Sequence, residues 1–338
     1  MRERSSFPRR YRPRVASWWE SDGDIDPFAD VDADLPTTVR MRRRRADNEP
    51  SPGTRGRLTE EQRARLARER EAAATADAPP AGIRWSTWDD GSRGPEPYPE
   101  WLVTELAAVD TDLGVLKTGK EADVHLLERG VPGSDRRCLL ASKRYRGADH
   151  RLFHRDASYL EGRRLRRVRD QRAIDRRTNF GRNLIAQQWS TAEFAALCHL
   201  WSAGVPVPYP VQCLGTEVLM EFIGDEDGTP APRLAQLRPE PGQLRHWWEV
   251  MRAAMVAMGR LGYTHGDLSA YNVLADGDDL VFIDVPQLVD LAVNPQGRPF
   301  LERDARRICE WFTARGLSVD VADPNALVDL VLSEAGLA

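Results

Sequence analysis

Short apolar runs separated by turn residues fill the chain from Leu113 onward. Leu113 to Lys117 and Ala122 to Leu127 flank a tight glycine-containing turn, and Cys138 to Tyr145 makes a third run. Three neighbouring runs of this kind predict strands of an antiparallel sheet. From Ser190 to Ala203 the period changes: Phe194, Leu197, Leu200 and Trp201 recur at helical core spacing, until Gly204, Pro206 and Pro208 stop the helix. Glu217 to Ile223 returns to strand. Leu244 to Leu261 then predicts a long helix ended by Gly262, with Met251, Met255 and Met258 on its core face and Trp247 and Trp248 as anchors. Strands first, then one helix, a strand and mostly helix is an α+β order.

Residues 1–97 show little of this periodicity. Their charge comes in blocks, basic around Arg9 to Arg14, acidic from Glu20 to Asp34 and basic again at Arg40 to Arg45, which predicts disorder. Thr59 to Glu71 can form one charged helix capped by Thr59 and ended by the Ala/Pro run to Pro80. The aromatic residues Trp85, Trp88, Tyr98 and Trp101 mark the approach to ordered structure. The predicted boundary lies near residue 98, with a folded domain over 98–338.

A 338-residue chain with 41% hydrophobic content can bury a sizeable core. Its net charge of -4 hides a polarity, because residues 141–183 carry 14 Lys plus Arg against 5 Asp plus Glu. Cys138, Cys198, Cys213 and Cys309 are far apart, without a CxxC or a histidine placed to complete a zinc set, and read as reduced, mostly buried thiols. His150 and His154 have the spacing of a helical metal pair, but no third ligand follows in a recognisable pattern. No run of about 18 apolar residues occurs and Met1-Arg2-Glu3 leads into polar sequence, so a cytoplasmic protein without membrane contact is expected. Only three lysines, Lys117, Lys120 and Lys143, stand beside 45 arginines. Arginine cannot everywhere replace the compact ammonium, so each surviving lysine is a candidate for a specific task.

The densest candidate chemistry is His265-Gly266-Asp267-Leu268-Ser269-Ala270-Tyr271-Asn272, followed by Val281-Phe282-Ile283-Asp284-Val285. Phosphoryl transfer needs a carboxylate beside the attacking hydroxyl, and an amide oxygen with a second carboxylate to hold magnesium against the phosphates. The alternative is a polar turn before a hairpin whose Asp284 merely ends a strand. Upstream, Thr118-Gly119-Lys120-Glu121-Ala122-Asp123-Val124 can aim backbone N–H groups at phosphate oxygens, or be an ordinary hairpin turn. Lys143, on the third predicted strand, is placed to bridge phosphates, or is an exposed strand lysine. Glu193 is a natural partner for Lys143, but Ser190-Thr191-Ala192-Glu193 also reads as a capping box in which Glu193 returns to the Ser190 N–H.

Together these segments resemble the RIO-type atypical serine/threonine kinases, here a bacterial member. The resemblance rests on Gly119-Lys120-Glu121-Ala122-Asp123-Val124, Met220-Glu221-Phe222-Ile223-Gly224, Asp267-Leu268-Ser269-Ala270-Tyr271-Asn272 and Ile283-Asp284-Val285-Pro286-Gln287. Arg155-Asp156, Trp189 with Glu193, Ala203 to Pro208 and Leu301-Glu302-Arg303-Asp304 extend it over roughly residues 110–312. It implies a two-lobed protein-kinase-like fold, with a sheet-rich small lobe over about 98–221 and a helical lobe over about 222–338. It also implies an ATP and Mg2+ site between the lobes and a protein substrate of unknown identity. On that template Lys143 anchors phosphates and pairs with Glu193, Thr118, Gly119, Lys120 and Val124 line the nucleotide, and Glu221 to Ile223 form the hinge. Asp267 acts as base, and Asn272 and Asp284 bind the metal. Asp284 is also where a phosphoaspartate would form in an ATPase cycle.

Some positions depart from the wider kinase pattern. Gly266 stands where ordinary kinases have Arg, and no Ala-Pro-Glu follows Asp284, both in keeping with the RIO pattern; Pro286 replaces an expected Ser. The basic segment carries Arg163, Arg164, Arg166, Arg167, Arg169 and Arg172, and RNA or ribosome contact is weighed there against a solvated loop. Two other classes stay open: an aminoglycoside-kinase-type small-molecule phosphotransferase, disfavoured by Ser269-Ala270-Tyr271, and a nucleotide-switched RNA- or ribosome-binding module.

Overall fold

The computed structural model describes residues 84–146, 179–285 and 288–337. The Thr59 to Glu71 segment, Arg155-Asp156, the His150/His154 pair, the arginines from Arg163 to Arg172 and Pro286-Gln287 lie outside the described residues.

Seven antiparallel strands form the small lobe, in the order β1-β3-β4-β5-β7-β6-β2. They are β1 (Arg84–Trp85), β2 (Ser92–Arg93), β3 (Val109–Thr118), β4 (Ala122–Gly130), β5 (Arg137–Tyr145), β6 (Pro210–Leu214) and β7 (Glu217–Glu221). The three predicted strands are β3, β4 and β5, joined by short turns that favour antiparallel neighbours. Residues 84–97, assigned to the extension on sequence, instead supply both sheet edges: β1 pairs with β3 and β2 with β6. Two-residue strands carry no period to detect, so only the aromatic residues signalled them.

Register fixes which side chains share a face. Leu127 lies opposite Leu140, and Leu219 opposite Ser142, on the back of the sheet. There Leu127, Leu140, Val211 and Leu219 pack under Trp88, Leu102, Val103 and Ala108. Beside this apolar patch runs a charged one. Arg129 and Asp110 are both fully buried and joined at 2.7 and 3.1 Å, Arg84 reaches Asp110 at 3.1 Å and Glu217 at 2.6 Å, and Arg144 links Glu217 to Asp112 at 3.0 Å each.

Helix α1 (Asn179–Ser202) covers the front of the sheet with Phe194, Leu197 and Leu200. It starts well before the expected Ser190, whose hydroxyl donates to Gln187 O at 2.9 Å and to Gly215 O at 2.7 Å. The capping-box reading is therefore overturned: Ser190 sits inside the helix and ties it to the β6–β7 turn. Gly204, at φ 79°, ends the helix with a conformation that an L side chain resists.

The large lobe is built on α2 (Pro241–Arg260), α3 (Gly297–Thr313) and α4 (Pro324–Glu334). Met251, Met255 and Met258 are buried core residues, as their spacing predicts. Gly259 lets α2 approach α4, since a Cβ there would meet Val331 Cγ1 at 2.6 Å. Asp323 caps α4 by accepting from Asn325 N at 2.8 Å. Between α2 and α3 lie β8 (Tyr263–Thr264), the β9 (Val273–Asp276) and β10 (Asp279–Phe282) hairpin, and β11 (Val289–Asp290). One apolar cluster runs from Ala122, Tyr145 and Val218 through α1 into α2 and α3, so the two lobes share a core. Among the described residues no helix is long and apolar enough to cross a membrane. All four cysteines are free, and burial pushes the Cys138 thiol up to about 11.

Candidate active site

Lys143 on β5 stands in register with Val124 of β4 and Val218 of β7, on the front of the sheet. Its ammonium donates to Glu193 Oε1 at 2.6 Å and to Asp284 Oδ1 at 2.8 Å. The Tyr145 hydroxyl donates to the other Glu193 oxygen, and Glu193 is 1% exposed. Of the two sequence readings of Glu193, the structure keeps the lysine partner. Burial works against the charge on Lys143, but Glu193 and Asp284 outweigh it and raise its pKa. Asp284 is the mirror case: burial favours its neutral form, Lys143 more than offsets that, and its pKa falls. Burial, then the charge of Glu193, raises the Tyr145 phenol.

Asp284 has φ 64°, and among the described residues it alone of the non-glycines has a positive φ. Such a conformation is uncommon outside glycine, though Asp tolerates it better than most. It lies two residues beyond the end of β10, and the backbone locks that segment to the turn carrying Asp267. Ile283 N donates to Asn272 O at 2.9 Å, Asn272 Nδ2 donates to Asp267 O at 2.9 Å, and Asn272 N donates to Ser269 O at 2.9 Å. His265 Nε2 meets Ile283 O at 3.3 Å while its Nδ1 accepts from Asp267 N at 3.4 Å, so this buried ring braces the turn. With its amide nitrogen engaged, Asn272 has its amide oxygen left for a cation.

A residue given no role from sequence holds the turn from below. Asp304 of α3, fully buried, accepts from Gly266 N at 2.7 Å, Leu268 N at 2.9 Å and Thr264 Oγ1 at 3.1 Å. Burial raises its pKa, although the surrounding donors and His265 act in the opposite sense. Gly266 has φ 83°, which accounts for a glycine where other kinases carry arginine; its carbonyl accepts from Arg303. Asp267 itself is 51% exposed in its side chain and accepts from Arg307 at 2.8 Å, a contact without any sequence signal.

The remaining predicted site residues are less uniform. Gly119 N donates to Ala122 O at 2.9 Å, and a Cβ at Gly119 would meet that same oxygen at 2.9 Å. Of the two readings of this turn, this N–H takes part in the hairpin one, closing the β3–β4 connection. Thr118 pairs across that hairpin with Asp123, and Thr118 and Lys120 are exposed. The Glu221 carboxylate accepts from Tyr209 N at 3.1 Å and Ile223 O accepts from Ala231 N at 3.0 Å, contacts that brace the expected hinge segment. A separate cavity of about 340 Å³ beyond the hinge, lined by Gly224, Thr229, Pro232, Trp247 and Asp276, contains none of the predicted site residues.

A sheet lysine paired with a helix glutamate, set against an Asp-x4-Asn turn and a strand-terminal Asp, is the arrangement of a two-lobed protein-kinase-like fold. The RIO domain model matches residues 149–325. The chain is 32% identical over 230 residues to the RIO-type serine/threonine-protein kinase Rio1 of Haloferax volcanii, covering 68% of this chain and 71% of that protein. It is 28% identical over 232 residues to the serine/threonine-protein kinase RIO1 of Chaetomium thermophilum, covering 66% of this chain and 43% of that one. With RIO3 of Caenorhabditis elegans it shares 34% over 154 residues, 43% of this chain and 30% of the relative. The chain belongs to the RIO-type kinase family.

Proposed function

We propose that the chain is a Mg-ATP-dependent serine/threonine protein kinase in which Asp267 is the base. The observation that carries this reading is the Lys143 ammonium, held at once by Glu193 of the small lobe and Asp284 of the large lobe. A buried cation with two carboxylates across a cleft is suited to exchange one of them for phosphate oxygens when a nucleotide enters. The donor set also fits a hard divalent cation, because the Asn272 amide and the Asp284 carboxylate both offer oxygen.

Bound Mg-ATP would supply the transferable phosphoryl group. Lys143 would orient the phosphates, with Glu193 fixing its position. Asn272 and Asp284 would hold the metal, and Asp267, open to solvent, would orient the acceptor hydroxyl and take its proton. The test is mass spectrometry after incubation of the purified chain, with and without candidate proteins, in labelled ATP. Phosphate on Ser or Thr supports the reading, provided Asp267→Asn abolishes it. Label on Asp284 or only in water would replace it with an ATPase cycle, and label on a small molecule with the phosphotransferase alternative.

The charge of residues 141–183 supports a subsidiary reading, contact with RNA or the ribosome. RNA binding without salt dependence that survives deletion of residues 161–177 would remove it.

A further inference from the structure

Two register irregularities interrupt the pairing of β3 with β4, the second between Val115 and Lys117. Before it, Val115 lies opposite His125, and His125 lies opposite Ser142, whose hydroxyl donates to Glu217 at 2.6 Å on the back of the sheet. After it, Lys117 lies opposite Val124, which is paired with Lys143. In an unbroken strand residues two apart share a face, so Lys117 would follow Val115 to the back. The irregularity re-aims it, as bulges beside sites do. Lys117, Val124, Lys143 and Val218 therefore form one row across β3, β4, β5 and β7, on the cleft side. Adjacent strands are about 4.8 Å apart, which sets the two lysine backbones roughly 10 Å from one another.

The surroundings of this second lysine match that placement. Burial comes first in drawing its pKa below the ordinary lysine value, with Arg233 and Lys143 adding to it and Asp284 opposing. The side chain nonetheless stays accessible. Among the described residues no carboxylate is in ion-pair contact with Lys117, whereas Lys143 has two. A cation turned into a cleft by a backbone irregularity, close to like charges and without a salt-bridge partner among the described residues, is arranged for an anion from outside the chain.

We infer that Lys117 is a second phosphate-anchoring residue, gripping the polyphosphate of the nucleotide from the hairpin side while Lys143 holds it from the sheet floor. The inference rests on the reading of this cleft as a nucleotide site. It also gives two of the three lysines of an arginine-rich chain one shared task.

Calorimetry of the full chain with Mg-ATP, run on wild type, Lys117→Met and Lys117→Arg, tests it. Losing one charge-assisted contact should weaken Mg-ATP binding about tenfold in Lys117→Met, while Lys117→Arg stays within about threefold of wild type. No uptake by wild type would sink the nucleotide reading itself. Uptake by wild type with unchanged affinity in Lys117→Met would overturn the role of Lys117 alone. So would an arginine variant as weak as the methionine one, because charge would then not be the cause.

Discussion

Arg307 of α3 donates to Asp267 Oδ1 at 2.8 Å, so the proposed base is ion-paired within the large lobe. The two side chains are 42% and 51% exposed, and pairs of that kind contribute only about 0–1 kcal/mol. An incoming hydroxyl can therefore displace the arginine at little cost. Arg307→Ala is expected to change kcat by less than about fivefold. Asp267→Asn should lower it by about 10²- to 10⁴-fold. Steady-state phosphorylation assays on both variants decide the matter; equal losses would make Arg307 part of the machinery and not a displaceable neighbour.

Asp304 makes a different prediction, because it touches no reacting atom. Its carboxylate holds the N–H groups of Gly266 and Leu268 on either side of Asp267. Asp304→Ala leaves both without their partner, at about 1–3 kcal/mol each. Turnover should collapse while affinity for Mg-ATP, which on the proposed reading draws on Lys143 as well as on Asn272 and Asp284, falls far less. Calorimetry beside a kinase assay separates the two, and a variant with full turnover would show that the turn holds itself.

Strands β3, β4, β5 and β7 and helix α2 were legible because apolar residues recur at a period their burial demands. The start of α1 was not: Ser190 and Glu193 carry a local capping signal, but Ser190 Oγ bonds Gly215 and Glu193 bonds Lys143 and Tyr145. Tertiary contacts override a local motif whenever its side chains have stronger partners elsewhere. Lys143 was singled out by the scarcity of lysine, and Asp267, Asn272 and Asp284 by their spacing. Asp304 and Arg307 reach back to the Asp267 turn from α3, a packing relation without periodic trace in the sequence. Gly119 was read either as offering its N–H to phosphate or as an ordinary hairpin turn, and sequence alone does not show that the turn itself claims that N–H.

The charged back of the small lobe sets an acid limit on stability. Burial favours neutral Glu217, but hydrogen bonds and charge from Arg84, with Ser142 and Arg144, outweigh it and lower its pKa from 4.5. Asp112 behaves alike: burial is offset by the Gly114 N–H, Arg144 and His125. A carboxylate with a depressed folded pKa stabilises the fold above its unfolded pKa, and that contribution disappears as pH falls through the folded value. Stability should hold on the neutral side and decline below about pH 4.5. Glu217→Gln should be less stable than wild type at neutral pH and lose less on acidification, so that the two curves converge. Urea unfolding at a series of pH values measures this, and parallel curves would contradict it.

Where the folded domain begins can be settled by two chains, one starting at Arg84 and one at Tyr98. The shorter chain lacks β1 and β2, exposing the edges of β3 and β6 that they pair with. It lacks Arg84, which leaves buried Asp110 with Arg129 as its remaining ion-pair partner. It also lacks Trp88, 4% exposed over Leu127, Leu140 and Leu219 and stacked edge-on against Tyr98 at 5.1 Å. Removing a buried Trp side chain costs about 3–5 kcal/mol by itself. For a domain of this size that corresponds to a melting temperature lower by on the order of 10 °C. Trp88→Ala in the longer chain isolates the packing contribution, and the rest of the difference belongs to the edges and Arg84. Equal melting of the two chains would mean that residues 84–97 only decorate the sheet, and would restore a boundary near residue 98.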